Sequence, residues 1–193
     1  MNLDEALFRA INGLAGQSPL IDGMALTLSN AGLLWMPAIL LALYWLWVSW
    51  REALVAAPFL AASIGMLDFV GARIKELAAR PRPCMVLDGI QHIEACGKVF
   101  SFPSNHAINT ATAAAFLQVL YPSSGWISWP LVFLVGLARV YIGAHYVTDV
   151  LGGWLIGGGI GAGVAFLLKR WPIFRKKPNT VVPSADEPVT FRS

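Results

Sequence analysis

Of 193 residues, 56% are hydrophobic and only 13% charged, against about 25% charged in a soluble domain, and the stretches Gly23 to Trp50 and Val150 to Leu168 contain no Asp, Glu, Lys or Arg. Each is long enough to supply the roughly 20 helical residues that cross a bilayer, which excludes a soluble globule and a disordered chain, and the count of two cysteines excludes a disulfide-dense secreted scaffold. The net charge of +3 sits in two clusters, Arg73 to Arg82 and Lys169 to Lys177, rather than on a solvated face, so the expected partner is a lipid bilayer and not nucleic acid.

Residues 2–30 predict interfacial amphipathic helices. Leu3, Ala6, Leu7, Ala10, Ile11 and Leu14 recur at helical spacing opposite Asp4, Glu5 and Arg9. Pro19 to Ser29 is a second such piece, ended by Asn30 and Gly32. Acids near the start, with neither a basic segment nor a small-residue cleavage site, argue against a cleaved signal peptide. A first span is expected at about 33–50 and a second at 53–74, separated by a charged corner at Arg51 and Glu52. Asp68 lies inside the second span, where an acid is costly, and reads as the structural partner of a nearby cation.

Lys75 to Pro103 is polar, broken by Pro81, Pro83, Gly89 and Gly97, and reads as a loop in which His92 is solvated. Further spans follow at 105–121, 126–141 and 147–168, with a turn at 122–125. The series Gly152, Gly153, Gly157, Gly158, Gly159, Gly161 and Gly163 lies within the last span and reads as helix packing through small residues. Residues 171–193, punctuated by prolines, predict a disordered cytoplasmic tail. The expected fold is all-α, an integral membrane helical bundle of about five transmembrane helices, with residues 1–170 forming a single domain.

Lys169, Arg170, Arg175, Lys176 and Lys177 follow the last span and place the carboxyl terminus in the cytoplasm. Five spans then put the amino terminus and the Lys75 to Pro103 loop outside. That loop carries Lys75, Arg80, Arg82 and Lys98, with Arg73 just before it, against the positive-inside rule. Charges so placed need another use.

Lys75, Arg82 and Arg139 are cations at the outer ends of spans, tolerable where they face an anion, and phosphate is the natural one. Arginine offers planar, bidentate donors to phosphoryl oxygens and lysine a mobile point charge. His145 and Asp149 are four apart, so at the start of a helix they share a face. The carboxylate can then fix one imidazole nitrogen and leave the other free to attack phosphorus. His106 opens another helix beside Ser104, where backbone amides bind anions. Arg80 heads a duplicate Arg-Pro pair and reads as a rim or lipid-headgroup contact.

Three blocks, Lys75 to Arg82-Pro83, Pro103-Ser104-Asn105-His106, and Arg139 with His145 and Asp149, resemble the three-part signature of the type 2 phosphatidic acid phosphatase superfamily, K-x6-RP, PSGH and SR-x5-H-x3-D. Asn105 stands where the family has Gly, and Ala138 where it has Ser. The resemblance implies a membrane hydrolase in which His145 is the covalent nucleophile, His106 the general acid, and Asp149 the residue that orients His145. It makes Lys75, Arg82, Ser104, Asn105 and Arg139 the phosphate cradle. It implies no cofactor and no metal.

It further implies a lipid phosphate or diphosphate as substrate, cleaved at the outer face of a bacterial-type cell membrane. A polyprenyl diphosphate such as undecaprenyl diphosphate is the first expectation. Phosphatidylglycerophosphate and lipid A phosphates are the alternatives within the family, and a non-catalytic lipid-phosphate binder or transporter the alternative outside it. The residues do not fix the oligomeric state. Cys84 and Cys96 can close a disulfide if their loop faces an oxidising compartment.

Overall fold

The computed structural model describes residues 2–96 and 100–174, so Lys98 and the expected tail beyond 174 lie outside the described residues. Helix α1 (Leu3–Asn12) starts at Asn2, whose side chain accepts a hydrogen bond from the Glu5 amide at 2.8 Å. Asp4 and Glu5 occupy its first turn and Arg9 its last, as the helix dipole favours. It buries Phe8 and Asn12 while Leu3, Leu7 and Leu14 stay exposed along the amino-terminal segment. Helix α2 (Pro19–Ser29) begins with proline, whose missing N–H costs nothing at that position.

Helix α3 (Ala31–Ala78) is 48 residues long. At about 1.5 Å per residue it exceeds twice the roughly 30 Å of a hydrocarbon core, so it has to break. It breaks at Ser49, with φ −143° and ψ 55°, two residues before the charged corner expected at Arg51 and Glu52. Those two remain helical because their charges are met in place. Tyr121 donates to Glu52 at 2.5 Å and accepts from Trp45 at 2.9 Å, and the Arg51 guanidinium lies 5.2 Å from the Trp50 ring centre. Helix α3 also runs on past residue 74, so Lys75, expected in the loop, sits in its last turn.

The connection that follows carries the short helix α4 (Pro83–Val86), one antiparallel bridge between Pro81 and Phe100, and a disulfide between Cys84 and Cys96. Helix α5 (Asn105–Leu120) is alanine-rich and lies at the centre, burying Ala107, Ile108, Ala111, Thr112, Ala114, Ala115 and Phe116. A 3-10 turn (Pro122–Ser124) leads into α6 (Gly125–Tyr141), which returns antiparallel, and α7 (Val147–Lys169) then runs parallel to α5. Arg73, the charge nearest the positive-inside anomaly, is paired on its own helix with Glu76 at 2.9 Å.

The contact between α5 and α7 is nearly backbone on backbone. A Cβ on Gly157 would stand 2.1 Å from the Ile108 carbonyl oxygen, one on Gly161 2.3 Å from that of Thr112, and one on Gly153 2.8 Å from that of Ser104. A Cβ on Gly152 would stand 2.4 Å from the Phe102 ring, whereas at Gly159 and Gly163 it would meet open space. The glycine series is therefore a packing stripe of every fourth residue, as small residues provide in membrane helices.

Ala38–Ala78, Pro122–Tyr141 and Val147–Lys169 are long and apolar enough to cross a membrane. Trp47, Trp126 and Leu155 are 81%, 87% and 78% exposed, a surface that water would not tolerate and lipid does. Beyond α7 a further 3-10 turn (Pro172–Phe174) lies past the expected tail boundary at 171. The reason is apolar: Trp171 packs edge-on against Phe59 with ring centres 5.8 Å apart, and Phe174 lies against the Ala56, Phe116, Ala165 and Leu168 cluster.

The glycine stripe makes a direct test. Gly157→Ala should destabilise the protein by about 1–3 kcal/mol, the usual range for overpacking, while Gly159→Ala should be neutral or mildly stabilising. Thermal unfolding of both variants in detergent checks the contrast.

Candidate active site

Because α5 and α7 run parallel and touch, their first turns meet at one end of the bundle. The Ser104 amide donates to the Asp149 carbonyl at 3.1 Å and joins the two starts. Ile108 is the first α5 residue whose amide bonds back into the helix, to the Ser104 carbonyl at 3.0 Å, which leaves the preceding amides of the first turn facing this end.

His145 belongs to the turn between α6 and α7, not to the start of α7 as the spacing predicts. Gly143 takes φ +87°, a left-handed conformation open to glycine at little cost. The Ala144 and His145 amides both donate to the Arg139 carbonyl, at 3.1 and 3.2 Å, which fixes the loop against the end of α6. Lying before α7, His145 shares no helical face with Asp149, whose Oδ2 accepts the Tyr146 amide at 2.8 Å and caps the helix. That same Oδ2 still lies 3.6 Å from His145 Nδ1, ion-pair distance but longer than a hydrogen bond. His145 is 2% exposed and Asp149 fully buried.

On the other side of the imidazole, His145 Nε2 is 3.4 Å from Arg82 Nη1, which also donates to the Ala144 carbonyl at 3.1 Å. Lys75 donates to the Ser101 carbonyl at 3.4 Å and to that of Pro103, bracing the segment that leads into α5. Arg139 is 7% exposed; its Nη1 donates to the Ser29 carbonyl at 3.1 Å and lies 3.5 Å from Glu94 Oε2. His106 is within electrostatic reach of Arg139 and Arg82.

Among the described residues, buried polar atoms at this end without a hydrogen-bond partner include Ser104 Oγ, His106 Nε2, Arg139 Nε, Ser29 Oγ and Asn105 Oδ1, while His145 Nδ1 faces the Asp149 carboxylate. Unsatisfied buried polar groups are costly, and the charges of Lys75, Arg82 and Arg139 act on the same end of the bundle, a combination of donors and cations suited to an anion. Of the residues expected there, Asn105 differs. Its side-chain amide donates to Asp68 Oδ1 at 3.2 Å, as that of Asn109 does at 3.0 Å. Asn105 can therefore offer the cradle its backbone amide while its side chain points to α3. Asp68 is partnered by two amides, not by the expected cation.

Sequence reasoning missed four participants. Arg80 is no rim contact: its Nη1 lies 2.7 Å from Asp149 Oδ1 and its Nη2 2.6 Å from Asp4 Oδ2. Ser101, fully buried, donates to Asp149 Oδ2. Glu94 and the Ser29 carbonyl meet Arg139. Only Arg80, in its duplicated Arg-Pro pair, left a trace in the sequence. A groove of about 470 Å³ lined by Gln118, Pro122, Trp126 and Trp129 lies at the opposite end of α5 and α6 and touches none of this chemistry. Among the described residues no group of three or more His, Cys, Asp and Glu side chains is spaced to hold a metal ion.

The PAP2 superfamily model matches residues 53–173, more than half the chain and all three sequence blocks. The chain belongs to the PAP2 superfamily. With that membership it is an enzyme, a membrane phosphatase. Curated PAP2 relatives include a lipid A 4'-phosphatase of Porphyromonas gingivalis, 28% identical over 166 residues, covering 81% of this chain and 69% of that protein. An undecaprenyl-diphosphatase of Sulfolobus acidocaldarius is 29% identical over 154 residues, covering 78% and 71%.

Among solved structures, Aquifex aeolicus LpxE superposes with a TM-score of 0.69 at 23% identity, covering 85% of this chain and 95% of that one, a likeness of fold. A PAP2-type phosphatidylglycerolphosphate phosphatase from Bacillus subtilis superposes with a TM-score of 0.62 at 26% identity, covering 86% and 82%.

Burial holds His145 neutral, dropping its pKa from 6.5 to about 3. The Asp149 contact opposes the shift, and the nearby charges of Arg139, Arg82 and Lys75 reinforce it. A folded-state pKa below the unfolded value means that the unfolded chain binds the extra proton first as pH falls. His145 should therefore cost stability progressively as pH drops below 6.5 toward 3. The melting temperature in detergent should fall more steeply between pH 6.5 and 5 for the wild type than for His145→Gln.

Proposed function

We propose that this phosphatase hydrolyses a lipid phosphate or diphosphate, with polyprenyl diphosphate as its preferred substrate, through a phosphohistidine on His145. The observation that carries the reading is one buried neutral histidine beside Asp149, under the charges of Lys75, Arg82 and Arg139, with Ser104 Oγ, His106 Nε2 and Arg139 Nε left without partners at the same end. Arg82, Arg139, Ser104 and the first amides of α5, Asn105 among them, hold the phosphoryl oxygens. Lys75 adds its charge and fixes the Ser101 to Pro103 segment. Binding alone would need the cations; it would not need an imidazole held against a buried carboxylate, and this disfavours a non-catalytic binder or transporter.

With Asp149 beside Nδ1, the proton of the neutral imidazole resides there and the Nε2 lone pair faces the phosphate. Nε2 attacks phosphorus, the bond from phosphorus to the leaving oxygen breaks, and His106 donates the proton that oxygen takes up. The imidazolium that develops is stabilised by Asp149. In the second half His106 removes a proton from water, water oxygen bonds to phosphorus, the P–N bond breaks, and inorganic phosphate leaves with both histidines restored. The three cations stabilise the charge that grows on the phosphoryl oxygens, a role that preorganised charge performs without metal.

A phosphate monoester carries about −1.5 to −2 at pH 7, less than three cations can neutralise, and a terminal diphosphate matches them better. This charge count favours the polyprenyl diphosphate reading over phosphatidylglycerophosphate and lipid A monophosphate. Lys169 and Arg170 at the far end of α7 support an outward-facing site with the carboxyl terminus in the cytoplasm.

Phosphate release by purified protein from polyprenyl diphosphate, phosphatidylglycerophosphate, phosphatidic acid and lipid A tests the substrate, with the highest kcat/KM expected on the first. A higher value on lipid A or phosphatidylglycerophosphate transfers the assignment to that lipid. Activity should survive excess chelator and be inhibited by vanadate; loss restored by magnesium would overturn the charge clamp.

The two histidines are separable. His145→Ala should abolish turnover of every substrate. His106→Ala should lose about 10²- to 10⁴-fold on lipid phosphates, retain more on an aryl phosphate whose leaving group needs no proton, and accumulate phosphoenzyme. Equal losses on both substrate types would reverse the assignment.

A further inference from the structure

The family model begins at residue 53, yet α1 reaches the catalytic end. Asp4 Oδ1 accepts the Thr148 amide at 3.0 Å, and its Oδ2 accepts the Thr148 hydroxyl at 2.6 Å. Thr148 stands in the first turn of α7, so Asp4 caps that helix from another element, satisfying a terminal amide that α7 cannot satisfy itself. The same carboxylate meets Arg80 Nη2 at 2.6 Å, and Arg80 Nη1 in turn meets Thr148 Oγ1 and Asp149 Oδ1, both at 2.7 Å. The guanidinium plane lies 4.0 Å above the Tyr146 ring centre, a stacking contact that fixes its orientation as well as its place.

We infer that Arg80 and Asp4 are positioning residues for catalysis: the amino-terminal helix, through these two side chains, sets the carboxylate of Asp149 against His145. The inference rests on the reading of His145 as nucleophile and Asp149 as its orienter. Three hydrogen bonds hold the Asp149 carboxylate, at least one on each oxygen. Arg80 holds Oδ1; the Tyr146 amide and Ser101 hold Oδ2. A carboxylate held on both oxygens cannot rotate away from an imidazole that it touches only at 3.6 Å. Arg80 reaches Asp149 because Ala79 ends α3 in the left-handed region, φ 44° and ψ 30°, where a residue with a Cβ is strained. The strain sits one residue before the guanidinium that spans the two carboxylates.

Helix α1 is built to hold this station. Phe8 is fully buried and packs on Tyr146 with ring centres 5.6 Å apart. Asn12, 1% exposed, donates to the Tyr141 and Gln91 carbonyls at 2.8 and 2.9 Å and accepts the Gln91 amide at 2.8 Å. Arg9 donates to the Asp88 carbonyl at 3.0 Å. Leu3 and Leu7 stay exposed on the same helix, so it is anchored to protein through one face and open to lipid through the other.

The test is steady-state kinetics of full-length Asp4→Asn, Arg80→Gln and Arg80→Lys in detergent on polyprenyl diphosphate and an aryl phosphate, with pH profiles of kcat/KM. Removing the support of an orienting residue typically costs about 10- to 100-fold in activity. Asp4→Asn and Arg80→Gln should lower kcat in that range on both substrates, with KM changed less than about twofold, and Arg80→Lys should recover part of the loss.

His145 is faced by Asp149 from α7, Arg139 from α6, Lys75 from α3 and Arg82 from the loop, with His106 at the start of α5. Arg80 shares the Asp149 charge with it. Without Arg80 the carboxylate favours protonated His145 more strongly, so the acid limb of the profile should move to higher pH.

A rise in KM with kcat unchanged would make Arg80 a substrate contact and overturn the inference. So would wild-type kinetics and profile in Arg80→Gln, or wild-type kinetics in the near-isosteric Asp4→Asn. If Arg80→Gln fails to fold, Arg80→Lys and Asp4→Asn decide by the same kcat and KM criteria. Turnover surviving in His145→Ala, run in parallel, would instead remove the underlying reading.

Discussion

The close approach of α5 to α7 governs the rest of the architecture. Two helices carrying ordinary side chains pack with axes 8–10 Å apart; here Gly153, Gly157 and Gly161 remove the side chains on one side, and the facing surface is the backbone of Ser104, Ile108 and Thr112. In lipid, apolar association gains little, and van der Waals packing at short range is what holds helices together. The same contact determines the chemistry. Since α6 returns between them, α5 and α7 begin at the same end, and the close packing brings His106 and Asp149 to one place. A larger residue in the stripe would separate two helices and with them the side chains of the candidate site.

Around that scaffold the charges are arranged in two layers. The inner layer, Lys75, Arg82 and Arg139, faces the anion site. The outer layer, Arg80, Asp4 and Thr148, faces Asp149. Burying a carboxylate without compensation is costly, and Asp149 receives Arg80, Ser101 and the Tyr146 amide. The cluster of charges around the end of α3 thus has physical employment: Arg73 pairs with Glu76, Lys75 braces backbone carbonyls, and Arg80 and Arg82 serve two sides of the same histidine and carboxylate.

Much of this was legible in the sequence, and the limits are instructive. The helices were visible because apolar runs, prolines at helix starts and a basic stop mark their ends locally. The three blocks were visible because the residues within each keep fixed spacing. Partners far apart in the chain were not: Arg80 meets residues 69 positions later and 76 positions earlier, and no local pattern announces either. Asp68 read as the partner of a cation because charge suggests charge, whereas the amides of Asn105 and Asn109 satisfy it. The break in α3 was expected at the charges and fell at Ser49, since Tyr121 and Trp50 make Arg51 and Glu52 affordable within a helix. Disorder was expected from 171 because prolines dominate there, but Trp171 and Phe174 are apolar enough to keep one more turn on the bundle.

The shortness of α5 has a consequence for how this protein meets its lipid. Sixteen residues measure about 24 Å, less than the roughly 30 Å of hydrocarbon that surrounds the bundle. Lipid beside a short central helix thins to match it, or polar groups at its end sit lower than the bulk headgroups. Either way, polar groups at the start of α5, Ser104 and His106, come within reach of headgroup depth. A lipid headgroup can then meet that end of the bundle by lateral diffusion, without the large free energy of drawing an apolar chain into water. Membrane thickness thereby becomes a variable of the enzyme's rate.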